Sequence, residues 1–230
     1  MAQPFEDWYK NLPVVTRTYT TACFLTTLAV YLDLVSPLQL YLNLPLVWSN
    51  FEVWRVITNF LFYDRMGINF IFHMFFLVRH SKLLEEGSFR GKTADFLYMY
   101  IFGGFVLVTL MALSHISPVL SGLRVMFLAP CLAFMVVYVW GRRNPHLTLS
   151  LFGLFNFTAP YLPWVILGFG FMLGQPPALD LLGIVAGHFY YFFADVYPQT
   201  SGRRVLKTPG ILRALFDQPD PLPTAPQPAQ

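Results

Sequence analysis

The residues of this chain that could take part in chemistry lie within apolar stretches. Asp180 and His188 stand eight positions apart in the segment DLLGIVAGH, and Asn69 and His73 stand four apart in the segment NFIFH. An ionisable group in hydrocarbon costs at least ~2.5–3.5 kcal/mol by insertion scales, so such groups usually face a protein interior or a water-filled cavity. These stretches therefore predict a polar site inside a membrane-embedded bundle, used either for catalysis or as a pathway.

Cys131 is the thiol that the sequence places deep in a central apolar stretch, and His73 or His188 could meet it from another helix. Nucleophilic catalysis needs a base within hydrogen-bonding reach of the nucleophile, together with donors for the oxyanion. A single membrane cysteine is more often a small packing residue, and sequence spacing does not test a pairing across helices. A cysteine-dependent intramembrane peptidase therefore stays open as an alternative. No metal site is expected, because the potential ligands lack the usual spacing.

Composition indicates that these residues belong to a membrane protein. Of the 230 residues, 56% are hydrophobic and 12% are charged, and the mean hydropathy is +0.53. A soluble domain has about twice that charged fraction and too little interior for so much apolar side chain. The two cysteines stand in apolar stretches, which argues against a disulfide framework. The formal charge of +3 gives no support for nucleic-acid binding.

We predict an all-α, polytopic membrane protein with six transmembrane helices. The six apolar stretches that supply them are residues 18–35, 56–84, 96–113, 125–140, 159–173 and 179–193. With the loops on alternate sides, 12 of the 15 lysine and arginine residues share a side with both termini, and the positive-inside rule makes that side cytosolic. Several stretches are short for a hydrocarbon core of ~30 Å. Either their helices continue into polar sequence or the bilayer thins around them.

Three regions follow from this pattern. Residues 1–15 are predicted to form a cytosolic helix in the membrane interface, because their aromatic and leucine side chains recur at helical spacing. Residues 16–198 form the six-span domain, and its aromatic first loop, residues 36–55, is expected to lie in the interface on the other side. Residues 199–230 are rich in proline and are expected to be a cytosolic, disordered tail.

Several motifs together resemble the rhomboid superfamily, and most closely its Derlin members, which lack protease activity. Three of them are Trp54-Arg55 at the end of the first loop, a short polar second span, and the GxxxG pair Gly183 and Gly187 in the sixth span. The similarity to Derlins extends through the segments TNFLF (58–62), LLEEGSFRGKTAD (83–95), VYVW (137–140), RNP (143–145), YLPW (161–164) and DLLG (180–183). The resemblance covers roughly residues 8–217, and it implies a rhomboid-like bundle.

The departures from active rhomboids argue against serine protease chemistry. A rhomboid protease carries Gly-x-Ser-Gly in its fourth span, where this chain has Ala129-Pro-Cys-Leu132. The catalytic histidine stands three residues before the first GxxxG glycine, a position that Asp180 holds here, and a carboxylate is a poor substitute for that base near neutral pH. His188 lies about 12 Å further along the helix, too far to take the position of that catalytic histidine. The resemblance implies a pseudoprotease that is not an enzyme and has no catalytic residues and no cofactor.

The implied role is in endoplasmic-reticulum-associated degradation. A Derlin-like protein of the endoplasmic reticulum membrane would bind misfolded luminal or membrane proteins and ease their passage to the cytosol. Its partners would be a membrane ubiquitin ligase, a cytosolic AAA+ ATPase and the lipid bilayer. The chain ends in PTAPQPAQ, without the glycine-rich ATPase-binding motif of many animal Derlins, so an indirect route through the ligase is expected. A small transporter or channel stays open as an alternative function, and so does a homo-oligomer.

The resemblance also assigns roles to particular residues. Trp54 would anchor the first loop at the luminal interface, and Arg55 would hold that loop by hydrogen bonds. Gly183 and Gly187 would pack the sixth span against the fourth. A hydrated substrate groove would open laterally between the second and fifth spans, in a locally thinned bilayer. The polar residues that could line this groove are Asn59, Asn69, His73, Asp180 and His188.

Overall fold

The computed structural model of this protein describes residues 4–116, 125–151, 155–172 and 174–217, which are mostly helical. The helices are α1 (Pro4–Lys10), α2 (Val14–Tyr31), α3 (Pro37–Leu40), α4 (Leu44–Ser49), α5 (Arg55–Thr58), α6 (Ile68–Leu83), α7 (Thr93–Ile116), α8 (Ala129–Arg143), α9 (Leu162–Met172), α10 (Ala178–Tyr191), α11 (Tyr197–Ser201) and α12 (Gly210–Phe216). The π-helical turns Leu84–Ser88 and Phe192–Val196 continue α6 and α10, and the 3-10 turn Ala159–Tyr161 precedes α9.

A short antiparallel hairpin stands between α8 and α9. Its strands β1 (Thr148–Leu151) and β2 (Phe155–Thr158) pair with Thr148 opposite Thr158 and Leu151 opposite Phe155. The prediction of an all-α protein is therefore wrong for this loop. The physical reason is visible in its sequence, because apolar and polar side chains alternate in TLSL and FNFT, and a period of two is typical of a strand.

α8 forms the centre of the bundle. All residues from Ala129 to Gly141 are buried, and the helix contacts α6, α7, α9 and α10. Pro130 lies in the first turn of this helix, where its missing N–H leaves no intrahelical bond unmade. A helix that is covered on every side exposes no face to solvent and can be apolar all round, as the run from Cys131 to Trp140 is.

Two helical stretches of the described chain are long and apolar enough to cross a membrane by length and composition, Thr93–Ser114 and Ala178–Ser201. Each of the other predicted spans overlaps a described helix that is shorter or less apolar. α9 is apolar but has only 11 residues. The bundle of six crossing helices therefore stays a prediction.

Polar contacts join several helix ends at the end of the bundle that holds the described chain termini. Glu85 lies buried in the π-helical turn after α6 and accepts hydrogen bonds from the backbone N–H groups of Val15, at 3.0 Å, and Thr16, at 2.9 Å. The Thr16 hydroxyl donates to the same carboxylate at 2.7 Å. Because these N–H groups belong to the first turn of α2, the carboxylate caps that helix from a distant part of the chain.

The tail differs from its prediction within residues 199–217. This part holds the end of α11 and the whole of α12, and α12 packs against α7. The side chain of Asp217 accepts a hydrogen bond of 2.9 Å from the backbone N–H of Ala94 in the first turn of α7. These contacts give the segment a folded partner, which composition alone does not reveal. The rest of the predicted disordered tail, residues 218–230, lies outside the described residues.

Candidate functional site

Gly183 and Gly187 lie on the face of α10 that contacts α8. A Cβ atom at Gly183 would stand 2.5 Å from the carbonyl oxygen of Cys131 and 2.7 Å from the Cβ atom of Phe134. A Cβ atom at Gly187 would stand 2.7 Å from Cδ1 of Tyr138. These separations are shorter than van der Waals contact, so the observed approach of the two helices requires a residue without a side chain at both positions.

Arg55 is a buried cation, 6% exposed, that connects the first loop to the start of α5. Its Nε donates to the carboxylate of Glu52, and its Nη1 donates to the carbonyl oxygens of Leu38, at 2.8 Å, and Tyr41, at 3.2 Å. The guanidinium also lies over the ring of Tyr41, 5.3 Å from its centroid. The planar fork of an arginine can satisfy several acceptors at once. One side chain thus binds three separate points of this loop.

Trp54 precedes this arginine and is half exposed. Trp48 and Phe51, from the same loop, are 80% and 79% exposed. Amphipathic aromatic rings are enriched where a membrane meets water. The first loop therefore presents an aromatic surface of the kind that lies at a membrane interface.

Asn59 lies in the core, where it is fully buried. Its Nδ2 donates to the carbonyl oxygens of Arg55, at 2.6 Å, and Val56, at 2.8 Å. Its own backbone carbonyl accepts hydrogen bonds from the N–H groups of Leu128, at 3.1 Å, and Ala129, at 3.2 Å. Asn59 therefore joins α5 to the start of α8, and the structure places it inside the packed core rather than on an open surface.

Asn69 and His73 are both exposed on one face of α6. The ring of His73 lies 5.8 Å from that of Tyr63. Within the described ranges, neither side chain makes a hydrogen bond. The exposed residues around them, such as Ile68 and Phe72, are apolar. The two side chains thus leave their polar groups without a protein partner on an otherwise hydrophobic surface.

Asp180 and His188 stand at opposite ends of α10. Asp180 is half-buried, and a Cβ atom at Gly170 of α9 would lie 3.6 Å from its Oδ2. His188 is exposed, and its Nδ1 lies 2.8 Å from the hydroxyl oxygen of Tyr138. Among the residues that the structure describes, no hydrogen bond, ion pair or ring contact joins these two side chains to Asn69 or His73. Within the described residues, the five predicted groove residues are therefore not joined by direct polar contacts, and the groove stays a prediction.

α6 and α9 both pack against α8. α6 packs against α2 and α8, whereas α9 packs against α8 and α10. In the described part of the chain, α6 and α9 share no extensive interface with each other. The arrangement leaves the second and fifth predicted spans as neighbours of α8 that do not close on one another.

Cys131 is fully buried in α8. Within the described residues, no hydrogen bond joins its sulfur to His73 or His188, and no group of three potential ligands could hold a metal ion. A nucleophile needs its base within hydrogen-bonding reach and a route for the substrate. The geometry around this thiol is that of a small core residue packed against the close approach at Gly183.

Two residues outside the predicted site bind members of it, and a third holds a neighbouring helix. Glu52 binds Arg55, Tyr138 binds His188, and Glu85 caps α2. Glu52 carried a sequence signal, because it stands three positions before Arg55 and opposite charges at that spacing can pair. Glu85 binds residues that stand 69 and 70 positions away in the sequence, and Tyr138 binds a residue 50 positions away. No local pattern reveals their roles.

Comparison with known proteins places this arrangement in a family. A family model described as the Der1-like family matches residues 12–210. The chain is 59% identical over 217 residues to a probable derlin-2 homolog from Dictyostelium discoideum, covering 94% of this chain and 85% of that protein. It is 53% identical over 222 residues to Derlin-2.2 from Arabidopsis thaliana, covering 95% and 91%, and 41% identical over 209 residues to Derlin-1.2 from Zea mays, covering 91% and 83%. The chain therefore belongs to the Derlin, or Der1-like, family of membrane proteins.

Proposed function

We propose that this protein is a non-enzymatic retrotranslocation factor of endoplasmic-reticulum-associated degradation. It binds misfolded luminal or membrane proteins and eases their passage to the cytosol along a lateral groove. Membership of the Derlin family supports the general role. The groove between α6 and α9 is supported by the lack of an extensive interface between these two helices in the described part of the chain.

The single observation that carries the groove is the pair Asn69 and His73 on α6. Both side chains are exposed on a surface with Ile68 and Phe72, and neither makes a hydrogen bond within the described ranges. In contact with lipid alone, an unpaired polar group loses the hydrogen bonds that it makes in water. Water or a polar substrate segment on this face removes that cost. The pair therefore favours a hydrated surface over a purely lipid-facing one.

Short helices support a thinned bilayer beside this surface. α9 has 11 residues, which span about 16 Å at the helical rise of ~1.5 Å per residue. With the 3-10 turn before it, the element still falls short of a hydrocarbon core of ~30 Å. A bilayer adapts to a short apolar element by thinning around it. Thinning would shorten the path of a polar substrate through hydrocarbon.

The proposed setting is the endoplasmic reticulum membrane, with both termini in the cytosol. Client proteins, a membrane ubiquitin ligase and the bilayer are the proposed partners, and a cytosolic AAA+ ATPase acts through the ligase. No described contact favours the alternative of a peptidase that uses Cys131, because that thiol is fully buried. Nor does a particular contact favour a small-molecule transporter or channel.

Site-specific photocrosslinking tests the groove. A crosslinking amino acid is placed at position 69 or 73 in cells that express a stalled, misfolded client, and at position 71 as the matched control. Ile71 is 63% exposed and lies about 160–200° around α6 from Asn69 and His73. We expect client adducts at positions 69 and 73 and few at position 71. Absent adducts at all three positions, or equal adducts at all three, would contradict a groove on the Asn69 face.

A further inference from the structure

A cavity of about 730 Å³ lies at the end of the bundle that holds the described chain termini. The π-helical turn after α6 ends beside it, α7 begins there, and α8 and the extension of α10 end there. Residues 204–213 of the tail form one wall. Sites for small molecules usually have volumes of about 300–1,000 Å³, so this cavity is large enough for a ligand. None of the predicted groove residues lines it.

Both carboxylates of the cavity already have partners. The guanidinium of Arg143 donates two hydrogen bonds to Asp195, one of 2.9 Å and one of 3.0 Å. Asp95 accepts a hydrogen bond from the hydroxyl of Thr208, and its Oδ1 lies 3.7 Å from the guanidinium of Arg213. These ion pairs fix the walls and take up the negative charge of the site.

Three cations of the cavity remain without a carboxylate. Lys92, Arg204 and Lys207 line it from two sides, one before α7 and two from the tail, and all three are exposed. Within the described residues none of them forms an ion pair. Like charges that share a cavity repel one another, and an anion bound between them would relieve that repulsion. The cavity therefore has the electrostatics of an anion site.

The position of the cavity indicates the source of the anion. One apolar stretch, Thr93–Ser114, begins at its edge, and the other, Ala178–Ser201, ends there. Phe89, Tyr190 and Leu206 supply apolar surface beside the cations. The ends of membrane-crossing helices lie at the level of the lipid headgroups, and basic pockets between such helices bind phosphorylated headgroups. A ligand with both a phosphate and an acyl chain matches this mixed lining.

We propose that this cavity binds the phosphorylated headgroup of an anionic phospholipid, with phosphate oxygens held by Lys92, Arg204 and Lys207. Lysine and arginine both bind phosphate through charge-assisted hydrogen bonds. A bound headgroup would connect the tail to the segment before α7 by its charge. This proposal goes beyond the proposed function and does not depend on client binding. Free phosphate or a soluble inositol phosphate offers the same anionic chemistry, and the test separates these sources.

The test uses the full chain in detergent micelles and a fluorescent dioctanoyl phosphatidylinositol monophosphate, with binding followed by fluorescence anisotropy. For R204Q/K207Q we expect the Kd to rise about tenfold or more, because two of the three unpaired cations are removed. The matched control is R79Q/R90Q, which removes two exposed charges outside the cavity. Its Kd should stay within about twofold of the parent value. Neither Arg204 nor Lys207 forms an ion pair among the described residues, so R204Q/K207Q should keep the parent melting temperature.

Competition identifies the source of the anion. A soluble inositol bisphosphate and inorganic phosphate should displace the lipid probe only at much higher concentration, since they lack the acyl chains. Displacement at the same concentration as unlabelled lipid would overturn the lipid assignment in favour of a soluble phosphate. An unchanged Kd in R204Q/K207Q, an equal loss in both double variants, or absent saturable binding would overturn the cavity as the site. Stronger displacement by a polyglutamate peptide would overturn it in favour of an acidic protein segment.

Discussion

The polar residues in the apolar parts of this chain differ in whether their side chains form hydrogen bonds within the protein. Arg55 and His188 both have partners within a few ångströms. Asn59 uses its side-chain nitrogen and its backbone carbonyl to join two helices, and its buried Oδ1 has no partner among the described residues. Asn69 and His73 make no hydrogen bond in the described part of the chain. A polar group that is bonded internally serves the fold, because breaking such a bond costs about 1–3 kcal/mol. The exposed side chains of Asn69 and His73 are therefore available to water or a client.

Gly183 offers a sharp test at the same scale. A Cβ atom there would stand 2.5 Å from a backbone oxygen of α8, which cannot move away as a flexible side chain can. We expect Gly183→Ala to lower the free energy of unfolding by about 1–3 kcal/mol, the usual cost of overpacking. The measurement is the thermal unfolding midpoint of the purified protein in detergent.

Gly168→Ala is the control for this substitution. Gly168 also lies in a helix, α9, but a Cβ atom there would meet no atom within 4 Å. Alanine is favoured over glycine in a helix by up to about 1 kcal/mol, so this variant should be as stable as the parent or more stable. Equal loss of stability in the two variants would show that the contact with α8 is not the cause.

Among the elements, α2 is held in an unusual way at its first turn. It begins after Pro13, without a capping side chain of its own, and Glu85 from the turn after α6 supplies the acceptors. A negative charge at a helix N-terminus also interacts favourably with the helix dipole. The π-helical turn at Leu84–Ser88 carries Glu85. A local irregularity in one element thus positions the cap of another.

Glu85→Gln tests this arrangement. The amide keeps one acceptor oxygen and loses the negative charge, so we expect a loss of about 1–2 kcal/mol of stability. Hydrogen exchange should speed up at the amides of Val15 and Thr16, which donate to the carboxylate. Glu86→Gln is the matched control, because Glu86 is exposed and lies 3.7 Å from Lys82. Similar exchange rates in the two variants would argue against the cap.

The whole molecule has two ends of different character. One end carries the aromatic first loop with Trp48 and Phe51. The other carries the described termini, the Glu85 cap and the cation-lined cavity. Basic residues concentrate on the cytosolic side of membrane proteins. This asymmetry supports the proposed orientation, with the basic end in the cytosol.

An acceptor-site experiment tests that orientation. The same flexible cassette with an N-glycosylation sequence is inserted after Asn50 in the first loop or after Gln230, and the protein is made in microsomes. We expect glycosylation of the first and not of the second, because the modification occurs in the lumen. Asn156 in the exposed hairpin strand belongs to a natural Asn-Phe-Thr sequence and should stay unmodified. Glycosylation after Gln230 would reverse the proposed orientation.

Prediction from the sequence succeeded where the signal is local. Each of the six apolar stretches overlaps a described helix, and the crossing of a membrane by all six stays a prediction. The alternation of apolar and polar side chains in TLSL and FNFT is also a local signal, and it indicates strands. The prediction of an all-α protein did not take it into account. The folded tail had no such local signal, since proline-rich composition masks the short helix Gly210–Phe216.

The burial and the neighbours of the predicted groove residues do not follow from local sequence signals. Asn59 and Asn69 are both asparagines in the second predicted span, yet one is fully buried and the other is exposed. Their residue type is the same, so the difference comes from tertiary contacts, which for Asn59 include its hydrogen bonds to the start of α8. Asp180 and His188 share a helix, but Asp180 lies beside Gly170 of α9 and His188 lies within hydrogen-bonding distance of Tyr138. No spacing rule along one chain predicts which neighbours these side chains meet.

The sequence by itself determined that this is a membrane protein of the Derlin family with apolar helices. These properties depend on composition and on residues that lie near each other in the chain. Only the tertiary structure decided that Glu85 caps α2, that Gly183 lies against the backbone of α8, and that Lys92, Arg204 and Lys207 line one cavity. The reason is physical: close packing and charge pairing join residues far apart in sequence.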